Sequence, residues 1–189
     1  MSVRHNPFSA ARFAPGALPW LGAAGELDAL ADAAFRKGAR HQILGPHGSG
    51  KSTLLAHLAR VARRRGLEGR VVRGGRAEPG AVLRSLRADV VLLDEGEALG
   101  VGLRPFLALA ALAGTPLVVS VHRDVGLPTL LRCEASLDVA ASIVTRLLGQ
   151  APDAGIVAAR LDRHRGNLRE VLFEFYDDVE RAARVHRPG

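Results

Sequence analysis

Gly45-Pro46-His47-Gly48-Ser49-Gly50-Lys51-Ser52-Thr53 is the stretch that decides the fold of this chain. It matches the pattern G-x-x-x-x-G-K-[ST], in which glycines let the backbone curl around a phosphate group with successive N–H groups pointing inward. A helix that starts after the loop adds unpaired N–H groups and the positive end of its dipole. Lys51 then brings a positive charge to the β- and γ-phosphates, and the Ser52 hydroxyl is a ligand for magnesium. All nine residues are therefore candidate nucleotide-binding residues.

The sequence on either side fits the strand–loop–helix arrangement that this pattern requires. A short strand-like run, His41-Gln42-Ile43-Leu44, predicts a strand before the loop. Apolar residues recur at helical spacing over residues 54–62, and Gly66 is typical of a helix end. This context disfavours the alternative, a glycine-rich turn with an incidental lysine.

The composition indicates a folded domain with a sizeable core. The chain has 189 residues, of which 48% are hydrophobic. No apolar run reaches the roughly 18 residues of a membrane span, and the first ten residues lack the apolar region of a secretory signal. We therefore expect a cytoplasmic protein without a membrane partner. The single cysteine, Cys133, excludes an internal disulfide, and we interpret it as a core residue rather than a nucleophile.

The net charge of +7 favours an anionic partner. Lys37 and Lys51 are the only lysines, so nearly all the positive charge is arginine. The high arginine content is open to two interpretations: a nucleic-acid-binding patch, or a GC-rich coding sequence. The second is favoured because the basic residues are scattered and aromatic residues, at 4%, are too few for a base-stacking surface.

The order of predicted elements divides the chain into three parts. Residues 1–24 form an irregular segment, rich in proline and glycine, whose aromatic residues are expected to pack on the core. Residues 25–135 alternate strands and helices, which predicts an α/β fold, a parallel sheet with helices on both faces. Residues 136–189 contain three predicted helices and no strand, and we interpret them as a small helical lid. The predicted strands cover residues 41–44, 69–75, 88–95, 115–121 and 130–133.

Two residues are predicted to begin helices of the lid. Ser136 is a plausible N-cap, and Asn167 with Glu170 three residues later has the spacing of a capping box.

A second motif follows the predicted strand at residues 90–93, where four apolar residues precede Asp94 and Glu95. The carboxyl end of a parallel strand lies at the edge of the sheet where ligands bind in α/β folds. We therefore expect Asp94 to hold magnesium, mostly through water, and Glu95 to polarise an attacking water molecule. A solvated strand end is the alternative, and the matching phosphate loop disfavours it. Glu97 is expected at the surface.

Ser120 and His122 lie at the end of the next apolar strand. If the two motif strands flank that strand, Ser120 faces the γ-phosphate and senses its presence. Ordinary strand-end polarity is the alternative. Arg123 is open to two interpretations, a charge-neutralising finger or a surface residue.

Residues 45–53 and 90–95 resemble the Walker A and Walker B motifs of P-loop NTPases, and the order of parts is similar to that of AAA+ ATPases. The resemblance implies ATP and Mg²⁺ as cofactors. It also matches Ser120 to the sensor-1 position and the stretch Gly166-Asn167-Leu168-Arg169-Glu170 to the sensor-2 region, where Arg169 would touch the γ-phosphate. The sequence contains no L-S-G-G-Q, which argues against an ABC transporter subunit, and no N-K-x-D, so adenine is the expected base.

The function expected from these observations is Mg²⁺-dependent ATP hydrolysis coupled to a conformational change that a protein client reads. Glu95, Lys51, Ser120 and Arg169 are the expected catalytic residues, and Ser52 and Asp94 the metal ligands. Two alternatives stay open: a small-molecule phosphotransferase, and a non-hydrolysing nucleotide switch or nucleic-acid-binding module. The client and the oligomeric state are not determined by the sequence.

Overall fold

The structure, a computed structural model, describes residues 6–185. These residues form two compact units. We call the first the α/β unit, which comprises residues 20–45 and 51–133, and the second the helical unit, which comprises residues 6–19, 46–50 and 134–185. The predicted N-terminal segment and helical lid extend over residues 1–5 and 186–189, which lie outside the described part of the chain.

The α/β unit is built on a five-stranded sheet in which every described strand pair is parallel. The strand order is β2-β3-β4-β1-β5, so β4 lies between the strands that carry the two motifs. The predicted parallel sheet is thus confirmed, including its short fifth strand. The strands are β1 (Arg40–Leu44), β2 (Gly69–Arg73), β3 (Val90–Asp94), β4 (Leu117–Val121) and β5 (Thr129–Arg132).

Helices cover both faces of this sheet, as the apolar strands predict. Successive side chains of β3 point to opposite faces. Val90 and Leu92 pack with residues of the first two helices, and Val91 and Leu93 pack with residues of the next two. The helices are α1 (Glu26–Ala34), α2 (Lys51–Arg64), α3 (Pro79–Ser85) and α4 (Leu103–Ala113), with a 3₁₀ helix at Gly96–Gly102 before α4.

One described segment, Gly96–Ala113, is long and apolar enough to cross a membrane by length and composition. Its inward side chains, Leu103, Phe106 and Ala110 among them, are buried in the apolar cluster on one face of the sheet. Packing accounts for these inward residues, whereas Val101, Leu109 and Leu112 of the same segment are exposed.

The helical unit contains α5 (Leu137–Leu148), α6 (Ala154–Arg163) and α7 (Leu168–Val185). Ser136 caps α5 as predicted, because its Oγ accepts a hydrogen bond of 3.2 Å from the Val139 N–H.

Part of the N-terminal segment packs differently from our expectation. Residues 6–19 belong to the helical unit, where the fully buried Phe8 ring stacks on Phe175 at a centroid distance of 5.3 Å. The Asn6 side chain donates a 3.1 Å hydrogen bond to the Tyr176 carbonyl. Trp20 does belong to the α/β unit. The position of Phe8 follows from burial, since this large apolar ring is covered completely by the helices.

Candidate nucleotide-binding site

Asp94 is the last residue of β3 and the centre of the site in the α/β unit. Its side chain is buried, with 5% exposure. Asp94 Oδ1 accepts hydrogen bonds from the Ser52 hydroxyl at 3.0 Å and from the Ser120 hydroxyl at 2.7 Å. Ser52 lies in the first turn of α2 and Ser120 near the end of β4, so the fold brings together three residues that the sequence predicted separately.

Lys51 begins α2, and its ammonium group is held by the loop that precedes it. Its Nζ donates a 2.6 Å hydrogen bond to the carbonyl oxygen of Gly45. The pKa of Lys51 is lowered from its ordinary value because burial removes the ammonium from water, and nearby anionic groups such as Asp94 and Glu95 act in the opposite direction. Lys51 is therefore the buried cation next to the carboxylate end of β3.

Cys133 is a core residue, in agreement with our interpretation of the sequence. Burial raises the pKa of its thiol to about 11, although the charge of Lys51 acts to lower it. The buried side chain is therefore predominantly a neutral thiol at pH 7, which fits a core residue.

Glu95 differs from Asp94 in both exposure and backbone. Its side chain is exposed, and its φ of 55° and ψ of 52° place it in the left-handed region. This conformation costs a non-glycine residue about 1–2 kcal/mol, and strain of this kind clusters at functional sites. The Glu95 carbonyl lies 2.5 Å from where a Cβ on Gly74 would be, so Gly74 has no room for a side chain. Glu95 is therefore an exposed carboxylate on a left-handed turn, directly after the buried Asp94.

Ser120 positions both acidic residues. Its hydroxyl is buried, with 1% exposure of the residue. It donates to Asp94 Oδ1 and accepts a 3.0 Å hydrogen bond from the Glu95 N–H. We expected this hydroxyl to face a γ-phosphate, but its single donor is committed to Asp94, because a buried hydroxyl needs a partner inside the protein.

Glu97 is the residue of this site that the sequence did not identify. It is partly buried rather than at the surface, and its Oε1 accepts hydrogen bonds from the backbone N–H groups of His122 and Arg123, the latter at 3.2 Å. Burial acts to raise the pKa of Glu97, but these N–H donors hold it below its ordinary value. Glu97 therefore ties the 3₁₀ helix to the chain after β4. Its position two residues after Glu95 was the only feature of the sequence that placed Glu97 near the site.

Residues 46–50 of the phosphate loop contact the start of α7 inside the helical unit. Gly48 has a φ of +71°, and a Cβ on it would lie 1.9 Å from Asn167 Oδ1 and 3.2 Å from the backbone nitrogen of Arg169. Asn167 Oδ1 is buried without a hydrogen-bond partner among the described residues, so the predicted side-chain cap is not formed. The reason is that this side chain contacts Gly48 instead. The Arg169 side chain is exposed.

The oxygen atoms of the site suit magnesium. Ser52 and Asp94 supply a hydroxyl and a carboxylate, and no cluster of three or more His, Cys, Asp or Glu side chains with metal-binding geometry occurs in residues 6–185. Mg²⁺ is usually held by one or two protein ligands together with phosphate oxygens and water, rather than by a complete protein cage. The residues present therefore fit this ion.

One family model matches the sequence. The model, described as ABC transporter, matches residues 31–112, a range that contains both motifs but less than half of the chain. The matched range holds the phosphate loop at residues 45–53 and the Asp94–Glu95 strand end, the two motifs of P-loop NTPases. No curated protein matches the chain by sequence.

Solved structures of the replication initiator DnaA are similar to this chain. Domain III of Thermotoga maritima DnaA has a TM-score of 0.62 at 14% identity, over 96% of this chain and 92% of that one. AMPPCP-bound DnaA from Aquifex aeolicus has a TM-score of 0.55 at 16% identity, over 88% of this chain and 68% of that one.

A further structure, DnaA bound to AMPPCP and single-stranded DNA, has a TM-score of 0.52 at 12% identity, over 85% of this chain and 63% of that one. Identities this low show the fold alone. The family match, these similarities and the geometry of the two motifs confirm the predicted fold: the chain has an α/β fold of the P-loop NTPase type, similar to that of the DnaA structures.

Proposed function

We propose that this protein binds ATP with Mg²⁺ and hydrolyses it to ADP and phosphate. The observation that carries the proposal is the pair of hydroxyl contacts on Asp94 Oδ1, from Ser52 at 3.0 Å and Ser120 at 2.7 Å, at the strand end beside the buried Lys51. AMPPCP is bound in two of the similar DnaA structures, which supports a triphosphate as the ligand.

Each residue of the site has a distinct part in the proposed reaction. Glu95, exposed on its left-handed turn, accepts a proton from the attacking water. Lys51 stabilises negative charge on the transferred phosphoryl group, and the resemblance to AAA+ ATPases assigns the same part to Arg169. Ser52 and Asp94 would hold magnesium, which neutralises charge on the phosphate oxygens. Ser120 keeps Asp94 and the Glu95 backbone in place.

The burial of Lys51 and Asp94 strengthens these electrostatic contributions. Charges interact more strongly where water is excluded, and groups fixed in advance need no reorganisation during the reaction. We further propose that turnover is coupled to a conformational change of the helical unit, which a protein client reads.

Phosphate release by purified protein with ATP and Mg²⁺ tests the proposal. We expect Glu95→Gln to retain nucleotide binding, measured with a fluorescent ATP analogue, and to lose turnover by about 100-fold or more. Glu78→Gln, at an exposed position of the same unit, is the matched control and should behave like the unmodified protein.

Three outcomes would contradict the proposal or the part that it gives to Glu95. Unchanged turnover in Glu95→Gln removes Glu95 from the mechanism. Tight binding without phosphate release by the unmodified protein indicates a nucleotide switch. Release that requires an added small acceptor, with phosphate recovered on that acceptor, indicates a phosphotransferase.

A further inference from the structure

Strand β2 lies at one end of the sheet, and its only described strand partner is β3. The Val90 N–H donates to the Glu68 carbonyl at 3.2 Å and the Gly74 N–H donates to the Asp94 carbonyl at 2.8 Å. In a parallel pair, alternate residues bond to the neighbouring strand. The β2 residues that alternate with these bonded ones, Val71 among them, therefore direct their backbone N–H and C=O groups to the open edge.

A cleft of about 350 Å³ runs along this edge, between β2 and α3. Its lining contains four arginines, Arg70, Arg73, Arg76 and Arg84, and no carboxylate. Arg70 forms an ion pair with Glu68 at 2.7 Å, whereas no ion pair within residues 6–185 involves the other three. The cleft thus concentrates unneutralised positive charge on a small surface.

This charge identifies the occupant as an anion. Arg73, Arg76 and Arg84, which form no ion pair among residues 6–185, raise the local concentration of anionic ligands around the cleft. The planar fork of arginine binds carboxylate or phosphate with two parallel hydrogen bonds.

Three features favour a peptide over a nucleic acid. The open edge offers N–H and C=O groups at the spacing of an extended polypeptide. Val71, with 47% exposure, adds an apolar contact at the centre of β2. The lining of the cleft contains no aromatic side chain on which a base could stack.

We infer that the open edge of β2 binds an extended acidic segment of a partner protein, which adds to the sheet as a strand and places its carboxylates on the arginines of the cleft. This inference is independent of the proposed ATPase activity, since no residue of the cleft belongs to the nucleotide site.

Fluorescence anisotropy with a short labelled peptide of alternating Glu and Thr tests the inference, using the full chain without nucleotide. We expect saturable binding that weakens as salt rises. Arg84→Glu should lower the affinity about 10-fold or more. Arg104→Glu, at an exposed arginine of α4 outside the cleft, is the matched control and should bind as the unmodified protein does. Arg84→Gln, with a smaller expected loss, replaces Arg84→Glu if circular dichroism shows that Arg84→Glu is unfolded.

Two further probes separate strand addition from simple charge attraction. A peptide of the same sequence, N-methylated at every residue, has no backbone N–H on either edge, so it cannot pair with β2 and should lose binding. Equal binding of the methylated peptide would overturn strand addition. Tighter binding of a single-stranded oligonucleotide, lost in Arg84→Glu, would overturn the peptide in favour of a phosphodiester backbone. Equal affinity of the peptide for Arg84→Glu, Arg84→Gln and the unmodified protein would place any binding elsewhere.

Discussion

The carboxyl end of β3 and the open edge of β2 carry charge in opposite ways. At the end of β3, Asp94 is buried and its Oδ1 is held by two hydroxyl groups. At the edge of β2, Arg73, Arg76 and Arg84 are exposed and lie in a cleft without carboxylates. Burial fixes the geometry that a chemical reaction requires. Exposure leaves charge available to a partner, and salt weakens the attraction between them. The predictions below test this difference.

The largest expected effect is that of Lys51→Met, which keeps most of the apolar stem and removes the buried cation. We expect phosphate release to fall by about 100-fold or more, because the proposed mechanism uses this buried charge to stabilise the transferred phosphoryl group. Lys37→Met is the matched control at the other lysine, which is exposed. The measurement is phosphate release together with binding of a fluorescent nucleotide. Turnover retained in Lys51→Met would mean that burial of this cation does not serve catalysis.

The next effect is that of Ser120→Ala, which removes one donor from Asp94 and the acceptor of the Glu95 N–H. Buried groups left without a partner cost about 1–3 kcal/mol, so the free energy of unfolding in urea should fall by that amount. Phosphate release should fall as well, because both acidic residues lose their support. Ser142→Ala, on the exposed side of α5, should change neither quantity. A loss of activity with unchanged stability would instead indicate direct contact between Ser120 and the nucleotide.

Glu97→Gln is expected to have a pH-dependent effect on stability. The folded state lowers the pKa of Glu97, so its stabilising contribution is present above the unfolded value of 4.5 and is lost as pH falls through the folded value. The Gln variant should therefore be less stable than the unmodified protein near pH 7, with the difference shrinking as pH falls below 4.5 and through the lowered folded value. Urea unfolding at several pH values measures this. A difference that is constant with pH would mean that the carboxylate charge does not matter.

The smallest expected effect is that of Arg84→Gln at the edge of β2. Removing one of several mutually repelling charges should raise the melting temperature by about 1 °C at low salt. The gain should disappear at high salt, because exposed charges are screened. Thermal melting at two salt concentrations, with Arg104→Gln as the control, measures this. A lower melting temperature would show that Arg84 stabilises the folded protein, which would argue against an unpaired charge that serves only to bind a partner.

Much of the fold followed from patterns that are local in the sequence. The apolar run before Asp94 predicted a strand buried on both faces, and both of its faces are covered by helices. Other features depended on contacts that no local pattern contains. Phe8 packs on Phe175, and Glu97 holds the chain after β4, and in each case the partners are distant in the sequence.

Asn167 shows where local signals fail. Its spacing to Glu170 predicted a capping box, but its side chain contacts Gly48 and its Oδ1 has no hydrogen-bond partner in the described chain. A tertiary contact has replaced the local hydrogen bond that the sequence favoured.

The sequence by itself determined the phosphate loop, the Asp94–Glu95 pair and the alternation of strands and helices, because each depends on residues that are neighbours along the chain. Only the tertiary structure decided that Ser120 supports Asp94, that Glu97 belongs to the site, and that arginines of β2 and α3 share one cleft. The physical reason is that hydrogen bonds and charge interactions depend on distance in space, and packing decides which residues that are far apart in the sequence come close together.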